Sequence, residues 1–241
     1  MRRFFVPDIS AEQVTLPDDE ARHAAAALRL DDGSEVELFD GRGAVAAGRI
    51  VRQSRREVAV AIDRRLPVTP RPGPAVHLAF AVPKGKRLDW LLEKATELGA
   101  ASLQAVVFQR SVAGGDKPGE IKLANWQGHC VAAAKQCGLN WLPQLRPAAS
   151  LAEYLAGPCE HLRLIGDADE TAATLAAALV DWPPARDIQL LVGPEGGLTD
   201  AELQAARDAG LRFVRLGHTT LRIETAAIAL LAALTAIAQE R

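Results

Sequence analysis

The sequence predicts an α/β protein: a largely parallel sheet flanked by helices, preceded by a small β-barrel or curled sheet. Three observations carry that prediction. Short alternating runs broken by turn signals fill the first 70 residues, prolines 67, 70, 72 and 74 then crowd together, and strand runs alternate with helical periods thereafter. Strands that alternate with helices pair in parallel, with helices covering both faces of the sheet.

Taken in order, residues 35–39 and 57–62 alternate polar and apolar positions as half-buried strands do, and Asp40-Gly41 supplies a hairpin turn between strand-like runs. A short helix is expected around residues 21–28. The proline cluster removes backbone donors and disfavours helix, so it reads as a linker between a domain over 1–70 and a second over 74–241. In the second domain, residues 76–82 form a continuous apolar run, as in a strand buried on both faces. Leu88, Leu91, Leu92, Ala95 and Leu98 keep a helical period that Gly99 ends. Further strands are expected at 103–108, 162–165, 188–192 and 213–216, five in all. Helices are expected over 121–137 and around 171–180, 200–209 and 224–239.

The 241 residues are 49% hydrophobic and 24% charged, with a formal charge of −2. No global field would attract a polyanion, so nucleic-acid binding would need local patches or a dimer groove. Cys130, Cys137 and Cys159 are too few and scattered for a disulfide framework or a zinc site, and no metal is expected. The start, Met1-Arg2-Arg3-Phe4-Phe5-Val6-Pro7, has no apolar stretch behind its arginines and does not read as a signal peptide. The longest apolar run, 225–238, is too short to span a bilayer. A cytoplasmic location and no membrane contact are expected.

The last fifth holds two irregular loops, each leaving a strand and entering a helix, where open α/β folds bind ligands. In the first, Gly193-Pro194-Glu195-Gly196-Gly197-Leu198 precedes a capping box, Thr199-x-x-Glu202, that starts a helix ended by Gly210. Three glycines in five residues let a ligand approach the backbone. The loop lacks the Gly-Lys-Ser/Thr ending of a phosphate-binding loop and the G-x-G-x-x-G spacing of a dinucleotide site, and Glu195 would repel phosphate. A neutral or cationic ligand, held through ribose hydroxyls and adenine edges, suits it. The second loop runs from Leu216-Gly217 through Thr219 to Leu221-Arg222-Ile223-Glu224-Thr225. Arg222 there suits a phosphate or a developing oxyanion. Glu224 has two readings: a negative charge on the first turn of an apolar helix, or a partner that orients Arg222.

These residues resemble the SPOUT superfamily of S-adenosylmethionine-dependent RNA methyltransferases, and specifically the RsmE-type family that methylates N3 of a uridine in 16S rRNA. The resemblance spans nearly the whole chain. It rests on Arg2-Arg3-Phe4-Phe5-Val6, His23, Leu28-Arg29, Lys84, residues 94–99, Arg110-Ser111, Gln136-Cys137, residues 193–198 and Leu221-Arg222-x-Glu224-Thr225-Ala226.

The resemblance implies a PUA-like β-barrel for RNA, then an α/β methyltransferase domain closed by a trefoil knot. It implies S-adenosyl-L-methionine at Ile165, Gly166, Val192, Gly193, Pro194, Glu195, Gly196, Gly197, Leu198, Leu216, Gly217, Leu221, Arg222 and Thr225. Arg222, Glu224 and Arg110 become the catalytic candidates. Arg2, Arg3, Arg22, His23, Arg29 and Lys84 become the RNA contacts. The 30S subunit with its 16S rRNA is the implied partner, and the protein is expected to work as a homodimer. Thr219 and Leu139-Asn140 depart from the family, which usually carries arginines there. The residues leave three other readings open: a SPOUT enzyme acting on tRNA or 23S rRNA, a non-catalytic RNA-binding assembly protein, and a small-molecule methyltransferase.

Overall fold

The computed structural model describes residues 2–52, 57–71, 73–111, 120–157, 159–183 and 186–239. The chain folds as two units, Met1–Arg71 with Ala134–Leu142, and Pro72–Ala133 with Pro143–Arg241. The first boundary falls inside the proline cluster. The excursion of 134–142 into the first unit has no compositional signature.

In the smaller unit, strands β1 (Arg2–Phe5), β2 (Gln13–Thr15), β3 (Glu35–Phe39), β4 (Val45–Arg52) and β5 (Val58–Arg65) pair in the order β1-β3-β4-β5-β2. Among the described residues only the β1–β3 pair of this sheet is parallel. The ladder of these residues ends at β1 and β2, in keeping with a small curled sheet. At the β3–β4 turn, Asp40 accepts from the amides of Arg42 (2.7 Å) and Ala44 (3.0 Å), and Gly41 takes a φ of 72°. Alternate strand residues, among them Phe4, Val36, Leu38, Ile50, Val58 and Val60, meet in one core. The helix expected at 21–28 starts earlier, as α1 (Asp18–Arg22), and continues as a π-helical turn over His23–Ala27. Three acids at 18–20 favour that earlier start by facing the positive end of the helix.

The larger unit is a seven-stranded, wholly parallel sheet. Its strands are β6 (Val76–Phe80), β7 (Ser102–Val107), β8 (Gln144–Ser150), β9 (Leu162–Gly166), β10 (Ala173–Thr174), β11 (Ile188–Val192) and β12 (Arg212–Arg215), ordered β10-β12-β9-β11-β6-β7-β8. Its helices are α2 (Arg87–Glu97), α3 (Glu120–Cys137), α4 (Leu151–Ala156), α5 (Leu175–Ala178), α6 (Asp200–Asp208) and α7 (Ile223–Gln239). The last residues of α3, from Ala134, belong to the smaller unit.

Helices cover both faces of this sheet, as the alternation predicted. Tyr154 of α4 reaches Gln189 on one face, whereas Leu230 of α7 lies against Gly166, the register partner of Val192, on the other. Two corrections concern its rim. The expected helix at 171–180 shrinks to α5, because Ala173 and Thr174 pair with Val214 and Arg215 as an edge strand. Among the described residues the sheet also has seven strands, not five: β8 joins β10 as an unexpected strand, and the short α4 is a further unexpected helix. No helix among the described residues is long and apolar enough to cross a membrane.

Candidate active site

Strands β9, β11 and β12 run side by side, so the loops leaving their carboxyl ends converge. They enclose a cavity of about 510 Å³, within the range of small-molecule sites. Ile165, Gly166, Val192, Gly193, Pro194, Glu195, Gly197, Leu198, Leu216, Gly217 and Leu221, all among the positions implied for the cofactor, line it. The first turns of α7 close one side through Ile223, Ala226 and Leu230.

Two glycines are there for space. A Cβ on Gly166 would stand 2.9 Å from Leu230 Cδ1, and one on Gly193 would stand 2.6 Å from Leu198 Cδ1. Gly197 serves conformation instead, with a φ of 68° and open space around it. Its turn is held by its amide, which donates to the Pro194 carbonyl at 2.9 Å. The predicted capping box forms in full: Thr199 Oγ1 accepts from the Glu202 amide (3.3 Å), and Glu202 accepts from the Thr199 amide (2.8 Å).

The lining is rich in acids. Asp167 and Asp169 follow β9 and join Glu195, facing one cation, Arg207, which stacks on Phe213 with 5.1 Å to the ring centroid. The hydroxyl and amide of Thr171 donate to Asp169 at 2.6 and 2.8 Å and hold its carboxyl below the usual range. Leu216 (41% exposed) and Leu221 (36%) add an uncovered apolar rim. The resemblance points to Ile165 and Gly166 but not to the acids that follow them. An aspartate pair directly after a buried strand is the signal it passed over.

Three residues expected at the cofactor stand outside this lining: Gly196, Arg222 and Thr225. Gly196 instead abuts the loop after β7. Arg110 of that loop donates to the carbonyls of Gly196 (3.2 Å) and Leu198 (3.3 Å), so its guanidinium braces the glycine-rich wall from behind. The Gln109 amide adds a bond to the free side of Glu202 at 2.8 Å. Arg222 and Thr225 are exposed. Glu224 is buried at 8% exposure, and its nearest cation is Arg87 at the start of α2, 3.7 Å away, rather than Arg222. Its other carboxylate oxygen is buried without a hydrogen-bond partner. Arg87 is therefore a neighbour of the site that the reading missed, although it ends the basic run Lys84-Gly85-Lys86-Arg87.

The proposed RNA contacts divide. Arg2, Arg22, His23 and Arg29 are exposed on the smaller unit, with Arg22 paired to Asp19, and Lys84 is exposed on the larger. Arg3 departs from the expectation. Its side chain is only 10% exposed and pairs with Glu37 at 2.7 Å. It also donates to the carbonyls of Ala134 and Leu139 and to Asn140, and lies over the Phe39 ring. That cation is spent inside its own unit. Asn140, at one of the positions where the resembling family carries arginine, both accepts from Arg3 and donates to Thr69 (2.8 Å).

Comparison with known proteins agrees with this architecture. Residues 70–235 match the family model described as an RNA methyltransferase domain, and residues 16–63 match that of an RNA methyltransferase PUA domain. Ribosomal RNA small subunit methyltransferase E of Mycobacterium bovis is 34% identical over 236 residues, covering 95% of this chain and 87% of its own. The protein of that name from Synechocystis is 31% identical, over 93% and 73%. A crystal structure of a Neisseria gonorrhoeae ribosomal RNA small subunit methyltransferase E bound to S-adenosyl methionine superposes with a TM-score of 0.87, at 31% identity and 98% coverage of both chains.

Proposed function

Because the chain belongs to the ribosomal RNA small subunit methyltransferase E family, we propose that it methylates N3 of a specific uridine in the 16S rRNA of the small ribosomal subunit, using S-adenosyl-L-methionine. The observation that carries this reading is the cavity at the carboxyl ends of β9, β11 and β12. Glycines 166 and 193 let Leu230 and Leu198 of the lining pack closely where a Cβ would push them, and Asp167, Asp169 and Glu195 suit a net-cationic ligand. The residues present therefore fit the cofactor. The reading includes a trefoil knot formed by the chain around this cavity, a homodimer, and work on cytoplasmic ribosomes.

When bound, the cofactor supplies an electrophilic methyl group. Everything else falls to the chain. The backbone of 193–198 orients the ligand, and the rim leucines Leu216 and Leu221 exclude water from it. Uracil N3 carries a weakly acidic imide proton that must leave as the methyl is attacked, and charge builds on the flanking carbonyl oxygens. Arg222, exposed one residue before α7, is the group to orient the base and bear that charge. Glu224 acts behind it: with Arg87 on one oxygen, it has a second oxygen left to take a hydrogen bond or a proton. Arg110 acts as a brace of the cofactor wall. The imide edge is used in a paired uridine, so the target base must be unpaired or extruded. Arg2, Arg22, His23, Arg29 and Lys84 supply phosphate contacts that position the RNA.

The test is incubation with S-adenosylmethionine and 30S subunits lacking the modification, followed by nucleoside mass spectrometry. 3-Methyluridine in the 16S rRNA is expected. Its absence while the protein binds cofactor would reject the N3 assignment, and methylation of tRNA or 23S rRNA instead would reassign the substrate.

A further inference from the structure

The opposite end of the sheet holds a cluster that the methyl-transfer reading leaves unused. His77 is the second residue of β6, His161 immediately precedes β9, and Asp187 immediately precedes β11. Parallel pairing fixes the three relative to one another, with Ile188 in register with both Val76 and Leu162. The amide of Leu162 donates to the Asp187 carbonyl at 2.9 Å, tying the two strand entries together. Candidate ligand atoms of all three side chains lie within 4.8 Å of one another. From this convergence, we propose that His77, His161 and Asp187 bind a divalent transition-metal ion, with zinc the best match to the ligand types.

Supporting contacts orient two of the three donors, His77 and Asp187. His77 Nδ1 is 2.8 Å from Ser102 Oγ. A proton on that nitrogen, donated to the hydroxyl, leaves the Nε2 lone pair facing Asp187 Oδ2 across 3.8 Å. Two acceptors at that separation gain nothing from each other, and a cation between them satisfies both. Asp187 is anchored through its other oxygen, which accepts from the Ala75 amide at 2.8 Å. The His161 ring stacks on His77 with centroids 5.0 Å apart and planes 21° from parallel. A hydrogen-bonded second nitrogen and an anchored carboxylate are the outer contacts that usually fix metal ligands.

Two imidazoles and one carboxylate suit zinc or its neighbours rather than magnesium or calcium, which prefer all-oxygen sites. Ligands of tetrahedral zinc lie about 3.3–3.5 Å apart, so the 3.8 Å His77–Asp187 separation contracts slightly on binding, and donors as far apart as 4.8 Å draw in further. Three protein ligands leave one position for water. Arg146 lines a small hollow beside His77 and opposes a cation, which makes the anionic Asp187 necessary to the set. Because catalytic ligands of such sheets sit at the carboxyl ends, this ion fastens the entries of three central strands and takes no part in methyl transfer.

The test uses the full chain without a histidine tag. Titration with zinc chloride, followed by calorimetry, is expected to show one ion per chain and a Tm rise of about 5 °C at saturation. Cobalt(II) is expected to give the visible absorption of a tetrahedral site. His161→Ala and Asp187→Asn, the second of which keeps the acceptor for the Ala75 amide, are each expected to weaken binding about tenfold or more. Circular dichroism and cofactor affinity should match the parent protein. Absence of saturable binding, or a zinc affinity in either variant equal to that of the parent protein, overturns the proposal and leaves the methyltransferase reading intact.

Discussion

At Gly193 and Glu224, single atoms set the local packing and electrostatics. A methyl group on Gly193 would press on Leu198 Cδ1, the end of a flexible side chain that also lines the cavity. Gly193→Ala should therefore displace Leu198 into the ligand space, weakening S-adenosylmethionine binding about tenfold by calorimetry with little change in Tm. Adding Leu198→Ala should restore much of that affinity, because the clashing atom is gone. Additive losses in the double variant would place the defect in the backbone instead. Glu224 poses the opposite problem, a buried charge with one distant cation and one unsatisfied oxygen. Leaving a buried carboxylate oxygen unpaired costs about 1–3 kcal/mol, more than the ~0.3–1 kcal/mol gained from the helix terminus. A cap alone does not account for it. Glu224→Gln keeps the shape and removes the charge, and is expected to lower kcat at least tenfold with KM for the cofactor unchanged. An unchanged kcat would leave Glu224 as a helix-end charge only.

Among the elements, α6 links the glycine-rich cavity wall to its neighbour through Glu202. Thr199 contributes an ordinary cap, whereas Glu202 closes the box and also receives the Gln109 amide, next to the arginine that braces Gly196 and Leu198. Thr199→Ala should cost about 1 kcal/mol in urea unfolding and leave cofactor affinity nearly unchanged. Glu202→Ala should cost more and also weaken the cofactor several-fold, because the brace loses its anchor. Equal effects on affinity would mean that the loop after β7 is positioned independently. This element shows where local sequence was decisive: Thr199-x-x-Glu202 and Gly210 marked both ends of α6, since capping is chemistry between near neighbours. β8 was not legible for the converse reason. Pro147 interrupts its pattern, and it is tolerated only because β8 is an edge strand whose register shifts against Gln104 and Val106. The two-residue β10 likewise exists only through its pairing with β12, which the sequence of 171–180, helical in pattern, does not reveal.

For the whole molecule, the same limit separates the cavity from its surroundings. The glycine-rich wall was readable because one contiguous loop supplies it, while Arg87, Arg110 and Arg3 acquired roles through partners that are distant in sequence. Arg3 and Arg22 looked alike as basic residues of the first domain. Folding gives Arg3 a carboxylate, two carbonyls and an aromatic face inside the smaller unit, and leaves Arg22 and Arg29 at the surface. With a formal charge of −2 there is no general attraction for RNA, so affinity must depend on such local cations. Replacing both Arg22 and Arg29 by Ala should flatten the salt dependence of 16S rRNA binding by roughly one to two phosphate contacts and weaken it, with Tm and cofactor affinity unchanged. Arg3→Ala should instead cost about 2–3 kcal/mol of stability, since Glu37 and two carbonyls lose a shared partner. Its effect on RNA binding should follow the loss of folded protein and vanish when binding is expressed per folded molecule. An Arg3→Ala protein with parental Tm and a reduced salt slope would return Arg3 to the RNA-facing set. The paired measurements therefore separate a cation that builds the domain from cations that the domain presents.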